Sequence, residues 1–153
     1  MGEPSASAEV EIAAPAEEVY ALISDLPGMG KLAEENQGGS WLGGITSAAV
    51  GARFRGHNRR GWRRWSTKVT VTDADPGRRF GFDVHAFGLS SARWEYAIEP
   101  TGTGCRVTES TWDRRAGWFR LVGGFATGSM DRAAVNQHNI ERTLSRLKAT
   151  VEA

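Results

Sequence analysis

Between Gly38 and Asp113 this chain is cut into short extended runs by turn signals, whereas from Asp131 to Glu152 it contains neither Gly nor Pro. That contrast is the strongest constraint on its fold. Gly pairs at 38–39 and 43–44, Asn-Arg-Arg-Gly at 58–61, Asp-Pro-Gly at 75–77 and Thr-Gly-Thr-Gly at 101–104 all read as hairpin punctuation. They predict strands over 39–43, 52–58, 63–73, 79–87, 91–99 and 105–113, and connections this short pair neighbours antiparallel into a meander. Trp65, Thr67, Val69 and Val71 share one face of a strand, as do Phe80, Phe82 and Val84 on the next and Trp94, Tyr96 and Ile98 on the one after. One side of the sheet is therefore apolar. The Gly- and Pro-free segment is the longest predicted helix, with Ser129 or Asp131 available as a cap and Ile140, Leu144, Leu147 and Val151 on one stripe.

The first third supplies one more strand and two short helices. Val10 and Ile12 alternate with Glu9 and Glu11, the pattern of a half-buried strand over Ala8 to Ile12. Pro15 suits a first helical position, and Glu17 and Glu18 complement the positive end of the helix dipole. Val19, Leu22, Ile23 and Leu26 continue at helical spacing until Pro27-Gly28, which is expected to stop the helix, with a shorter helical stretch following from Met29 to Glu35. Residues 1–7 read as a loose tail and residues 8–153 as a single domain. Residues 114–129 carry Trp118, Phe119, Leu121, Val122 and Phe125 among glycines and read as an apolar loop; its stretch 116–128 is a candidate lid.

A sheet of about seven strands is much wider than one helix of about 10 Å, so it buries its apolar face only by curling around that helix. The expected fold class is α+β, a curved antiparallel sheet gripping the long C-terminal helix, with two short helices after strand one. Curling encloses volume, and the helix stripe traced back from Ile140 meets Gln137, Ala133 and Met130, smaller, polar or flexible side chains that leave its first half open. A cavity between sheet and helix follows as an expectation.

This element order, together with Ala14-Pro15-Ala16-Glu17-Glu18-Val19-Tyr20, Trp41-Leu42-Gly43-Gly44, Val50-Gly51-Ala52-Arg53-Phe54, Gly61-Trp62, Asp75-Pro76-Gly77-Arg78-Arg79-Phe80 and Arg106-Val107-Thr108-Glu109-Ser110, resembles the START-like, helix-grip (SRPBCC) superfamily. The closer resemblance is to its bacterial polyketide cyclase/dehydrase-type members, and it covers nearly the whole chain. Such members cyclise or aromatise polyketide chains, or bind lipids, hormones or quinones. The resemblance implies a pocket rather than a reaction, because its motifs sit mostly at turns and strand starts.

The candidate ligand-binding residues are Trp65, Phe80, Phe82, Trp94, Tyr96, Phe125, Met130, Ala133 and Gln137, of which the aromatic set Trp65, Phe80, Phe82, Trp94 and Tyr96 could equally be plain core. Glu109 shares strand parity with Cys105 and Val107 and is expected to point inward, where an apolar pocket raises a carboxyl pKa; an ion pair with a nearby Arg is the alternative. His85 is the second candidate for proton transfer, against the plainer reading of a surface histidine. His57, His85 and His138 show no metal-ligand spacing, so neither a metal nor another cofactor is expected. Ser110 and Cys105 have no nucleophile context.

With 19 Lys plus Arg against 18 Asp plus Glu, the chain has no global field for nucleic acid or an acidic membrane. Arg53, Arg55, Arg59, Arg60, Arg63 and Arg64, interleaved with His57, Trp62 and Trp65, form the one basic stretch. Arg59 and Arg60 are expected in the turn and the others on alternating faces, which predicts solvated charges, or one Arg reaching into the pocket, rather than a nucleic-acid surface. The single cysteine, the lack of a secretory-type leader and the lack of any run near the roughly 18 apolar residues of a membrane span point to a cytoplasmic protein without integral membrane association, monomeric or weakly homodimeric. These features together predict binding of a small hydrophobic or aromatic molecule, polyketide-, lipid- or quinone-like. A cyclase or aromatase using the same cavity, and an interaction protein with a filled core, are the alternatives.

Overall fold

The computed structural model describes residues 2–32, 36–86, 89–114 and 132–153. Strand β1 (Ala6–Ile12) leads into helix α1 (Ala16–Ile23), then a 3-10 helix (Leu26–Lys31). Six strands follow: β2 (Asn36–Trp41), β3 (Arg53–Arg60), β4 (Arg63–Asp75), β5 (Arg79–Ala86), β6 (Leu89–Pro100) and β7 (Cys105–Asp113). Helix α2 (Arg132–Glu152) ends the chain. The sheet is wholly antiparallel with strand order β1-β7-β6-β5-β4-β3-β2, so the meander of β2 to β7 is closed at its far edge by the N-terminal strand. Register shifts near Val71/Asp73 and Val84/His85 interrupt the ladders, and such bulges bend and twist the strands that carry them.

Helix α2 lies across β1 and β7. Ile140, Leu144 and Leu147 are fully buried there with Ile12, Cys105 and Val107. Polar ties lock its last turns: Ala13 N–H donates to Glu152 Oε2 at 2.8 Å, and Lys148 Nζ donates to the Glu11 carbonyl at 2.8 Å. Helix α1 buries Val19 and Ile23 in the same core, and Tyr20 meets Phe80 edge to face at 6.1 Å.

Several boundaries differ from expectation. The supposed loose tail is held: Ser5 N–H donates to the Thr111 carbonyl, Asp113 N–H donates to Ser5 Oγ, and β1 starts at Ala6. Small Ala and Ser residues look unstructured in sequence, but β7 is long enough to pair with Ala6, Ser7 and Ala8 and to bond Ser5. Pro27 opens the 3-10 helix instead of merely ending α1, with Asp25 accepting from Gly28 N–H; Pro is harmless at a position whose N–H is an orphan anyway. The expected helical stretch to Glu35 extends beyond the described residues, as do the 116–128 loop and the caps Ser129 and Asp131.

The most consequential shift is in the β3–β4 hairpin. Its two-residue turn is Gly61-Trp62, with Gly61 at φ +63°, so Arg59 and Arg60 are strand residues. Arg55 pairs with Lys68, His57 with Ser66 and Arg59 with Arg64. Directly paired residues share a face, so Arg53, Arg55, His57, Arg59, Arg64, Ser66 and Lys68 lie together on the outer side, all exposed. The expectation that these cations cannot form one surface is thus corrected.

At the β6–β7 turn, a Cβ on Gly104 would collide with the Ile12 carbonyl oxygen and crowd Ala13. Gly104→Ala is expected to cost about 1–3 kcal/mol, read as a lower urea midpoint, because β1 must move off β7 to admit the methyl.

Candidate functional site

Side chains on the concave face fall into cross-strand rows. One row runs Ala8, Glu109, Tyr96, Phe80, and the next runs Ala6, Thr111, Trp94, Phe82, Val71. In the first row Tyr96, Phe80 and Glu109 are buried, Glu109 to 3% exposure; in the second, Trp94 and Phe82 remain half-exposed. Thr111 Oγ donates to the Arg93 carbonyl at 2.9 Å and is thereby satisfied.

Glu109 is the exception. Tyr96, directly opposite on β6, hydrogen-bonds it, yet Glu109 Oε1 has no partner among the described residues. An ion pair with Arg, the sequence alternative, is not among its described contacts. Burial pushes the Glu109 carboxyl up to about 8, the Tyr96 bond offsetting only part of the desolvation. Burial, and then the neighbouring carboxylate, pushes the Tyr96 phenol well above its ordinary value. At neutral pH the pair is therefore a neutral carboxylic acid beside a neutral phenol, able to donate and accept hydrogen bonds within an apolar wall.

The other candidates separate clearly. Trp65, on the concave face of β4, is half-exposed like Phe82 and Trp94, whereas Phe80 is fully buried and serves as core between Tyr20 and Phe82. Gln137 makes a two-way clamp on β1: Ser7 N–H donates to Gln137 Oε1 at 3.1 Å and Gln137 Nε2 donates to the Ser7 carbonyl at 2.9 Å. That bonding commits the amide to seating α2. His85 is exposed, on the outer face opposite Lys68, so the sheet itself separates it from Glu109. Phe125 and Met130 lie outside the described residues, as does the side chain of Ala133. Cys105 is buried, and burial raises its thiol pKa, which disfavours the thiolate.

A cleft of about 570 Å³ lies between the hairpin end and the first half of α2, lined by Arg59, Arg60, Gly61, Ala134, Val135, His138 and Asn139. Nothing in the sequence singles out Arg59, Arg60 or Asn139 as site residues, and His138 is weighed there for metal-ligand spacing. Moving the turn from 58–61 to 61–62 is the signal that would have brought the two arginines against the helix. Among the described residues, no group of three or more His, Cys, Asp or Glu side chains is placed to hold a metal, and no helix is long and apolar enough to cross a membrane.

Residues 3–152 match the model of a family described as polyketide cyclase / dehydrase and lipid transport. No curated protein matches the sequence. Among solved structures, the chain is similar to the polyketide-cyclase-like protein Cgl2372 from Corynebacterium glutamicum, with 28% identity over 99% of this chain and 94% of that one and a TM-score of 0.61. It is also similar in fold to the KanY protein (ms6282), with 24% identity over the whole of both chains and a TM-score of 0.69. DR_A0006 from Deinococcus radiodurans gives 18% identity over 96% of each chain and a TM-score of 0.68.

Two outcomes are expected. The folded protein holds the Glu109 proton up to about pH 8, whereas the unfolded chain releases it near 4.5. The contribution is fully present below pH 4.5 and declines by about 1.4 kcal/mol per pH unit as pH rises, levelling off above pH 8. Glu109→Gln should flatten that decline, so its stability relative to the parent should rise between pH 5 and pH 8 in urea melts. Gln137→Ala should cost about 1–3 kcal/mol by stranding the Ser7 amide and carbonyl, with the hydrogen exchange of Ser7 accelerated.

Proposed function

Since the chain belongs to the polyketide cyclase/dehydrase and lipid transport family, we propose that it binds a small hydrophobic or aromatic molecule against the concave face of its sheet. The observation that carries this is the buried, unpartnered Glu109 Oε1, one row from the half-exposed Trp94 and Phe82. Leaving a buried carboxyl oxygen without a partner costs about 1–3 kcal/mol, and a ligand carbonyl, phenol or hydroxyl supplies the missing bond. Phe82, Trp94 and Trp65 form the apolar wall and Glu109 with Tyr96 the orienting polar point. Few polar groups on an apolar surface is the usual make-up of a small-molecule site.

The same pair favours a second reading, a cyclase. A carboxyl that titrates near neutrality can give a proton to an enolate oxygen and take one from the adjacent carbon, while the curved wall brings a ketone carbon and its nucleophile together. Ligand classes are then enolisable, polyketide-like chains.

Native mass spectrometry of gently purified protein, followed by tryptophan-quenching titrations with aromatic polyketides, fatty acids and quinones, tests the binding reading. Glu109→Gln should weaken the best ligand by about 2–10-fold, the worth of one neutral hydrogen bond, and Trp94→Ala should weaken it further. Protein free of ligand and unresponsive to every class would instead support a filled core. Turnover lost in Glu109→Gln while binding persists would select the cyclase.

A further inference from the structure

From the outer face of the β3–β4 ribbon we infer a second functional surface, one that docks the protein on an anionic phospholipid membrane. Arg53, Arg55, Arg59, Arg64 and Lys68, with His57, share this exposed face, and residues 53–68 contain no Asp or Glu. Cations on alternate strand positions stand about 7 Å apart, so the row from Arg53 to Arg59 spans about 20 Å. Among the described residues Arg53, Arg55, Arg59 and Arg64 have no ion pair. Unlike them, Arg93 farther across the sheet is paired with Asp73 and Asp83. The sheet therefore separates a self-neutralised outer region on β4 to β6 from an unneutralised one on β3 and β4.

Trp62 decides the partner. It occupies the hairpin tip at 79% exposure, the most exposed large apolar side chain among the described residues, with the Arg63 guanidinium 4.0 Å over its ring. An indole flanked by arginines matches the membrane interface, where Trp sits at headgroup level and Arg extends to phosphate. A surface that stacks single-stranded bases or reads adenine with amides sets aromatic rings or Asn and Gln among its cations, and only His57 and Ser66 lie between the cations of this face. Docked this way, the ribbon lies along the headgroups and Trp62 enters the interface, with the cleft beside Arg59, Arg60 and Gly61 brought close to the bilayer. The surface is separate from Glu109, so the two readings fail independently.

The test is co-sedimentation of the full chain with phosphatidylcholine vesicles, with and without phosphatidylglycerol, for the parent, Trp62→Ala and the double variant Arg55→Gln/Arg64→Gln. All of these positions are exposed, and circular dichroism melts together with tryptophan-quenching titrations check that fold and ligand binding persist. Binding is expected only to the anionic vesicles, weakened about fivefold for each arginine removed, weakened again in Trp62→Ala, and lost in high salt as screening shortens. Equal binding by parent and variants, or no binding to anionic vesicles, overturns the inference. So does retention of a labelled oligonucleotide that depends on these residues and that anionic vesicles do not compete away.

Discussion

The seating of α2 on the β1–β7 pair is the contact on which the remaining architecture depends. An antiparallel meander has an apolar face it cannot cover by itself, and one helix placed centrally would leave both flanks wet. Here the helix packs at one side, over the first and last strands, and the sheet bends toward it. Ile140, Leu144 and Leu147 give that contact its apolar interior. Gln137 and Glu152 fix its register by bonding to β1 main-chain groups at both ends of the strand, Ser7 and Ala13. The helix therefore cannot slide along the strand without breaking bonds at two places fifteen residues apart in its own sequence.

The cost of this arrangement falls on Glu109. Its parity on β7 sends it inward among Cys105, Val107 and Thr111, all fully buried. A leucine there would carry no such penalty, since it is burial that pushes the Glu109 carboxyl up to about 8. Keeping an expensive group in an otherwise apolar row, with Tyr96 opposite to share it, is a local conflict between stability and composition.

Most of the architecture was legible because strand alternation and turn residues act locally: the strands, the antiparallel meander of the last six and the core stripe of α2 follow from spacing, whereas the pairing of β1 with β7 is a long-range contact that spacing does not show. Inward Glu109 was legible for the same reason. What failed was placement by one or two residues. Asn-Arg-Arg-Gly looks like a turn, and Gly61-Trp62 displaces it because only Gly61 takes a positive φ comfortably; that small slip changes which arginines share a face. Gln137 read as a pocket group because sequence cannot show that a backbone amide and carbonyl from residue 7 stand opposite it. His85 read as a reachable base on its place near the strand end alone, although Val84 on the inner face already turns its neighbour outward, opposite Lys68.

The pairing of β1 with β7 also sets a schedule. During synthesis the first strand emerges long before Thr111, its partner at Ala6, and at about 5–20 residues per second that is a wait of about 5–20 s. Each later strand meets its neighbour almost at once through a hairpin, but β1 must remain open, an unpaired edge with Val10 and Ile12 exposed. Glu9 and Glu11, alternating with them, place charge on every second position of that edge, the arrangement that discourages strand-to-strand association between nascent chains. The acidic side chains that look like ordinary solvent-facing residues in the finished sheet thus act as gatekeepers while the ribosome completes the rest.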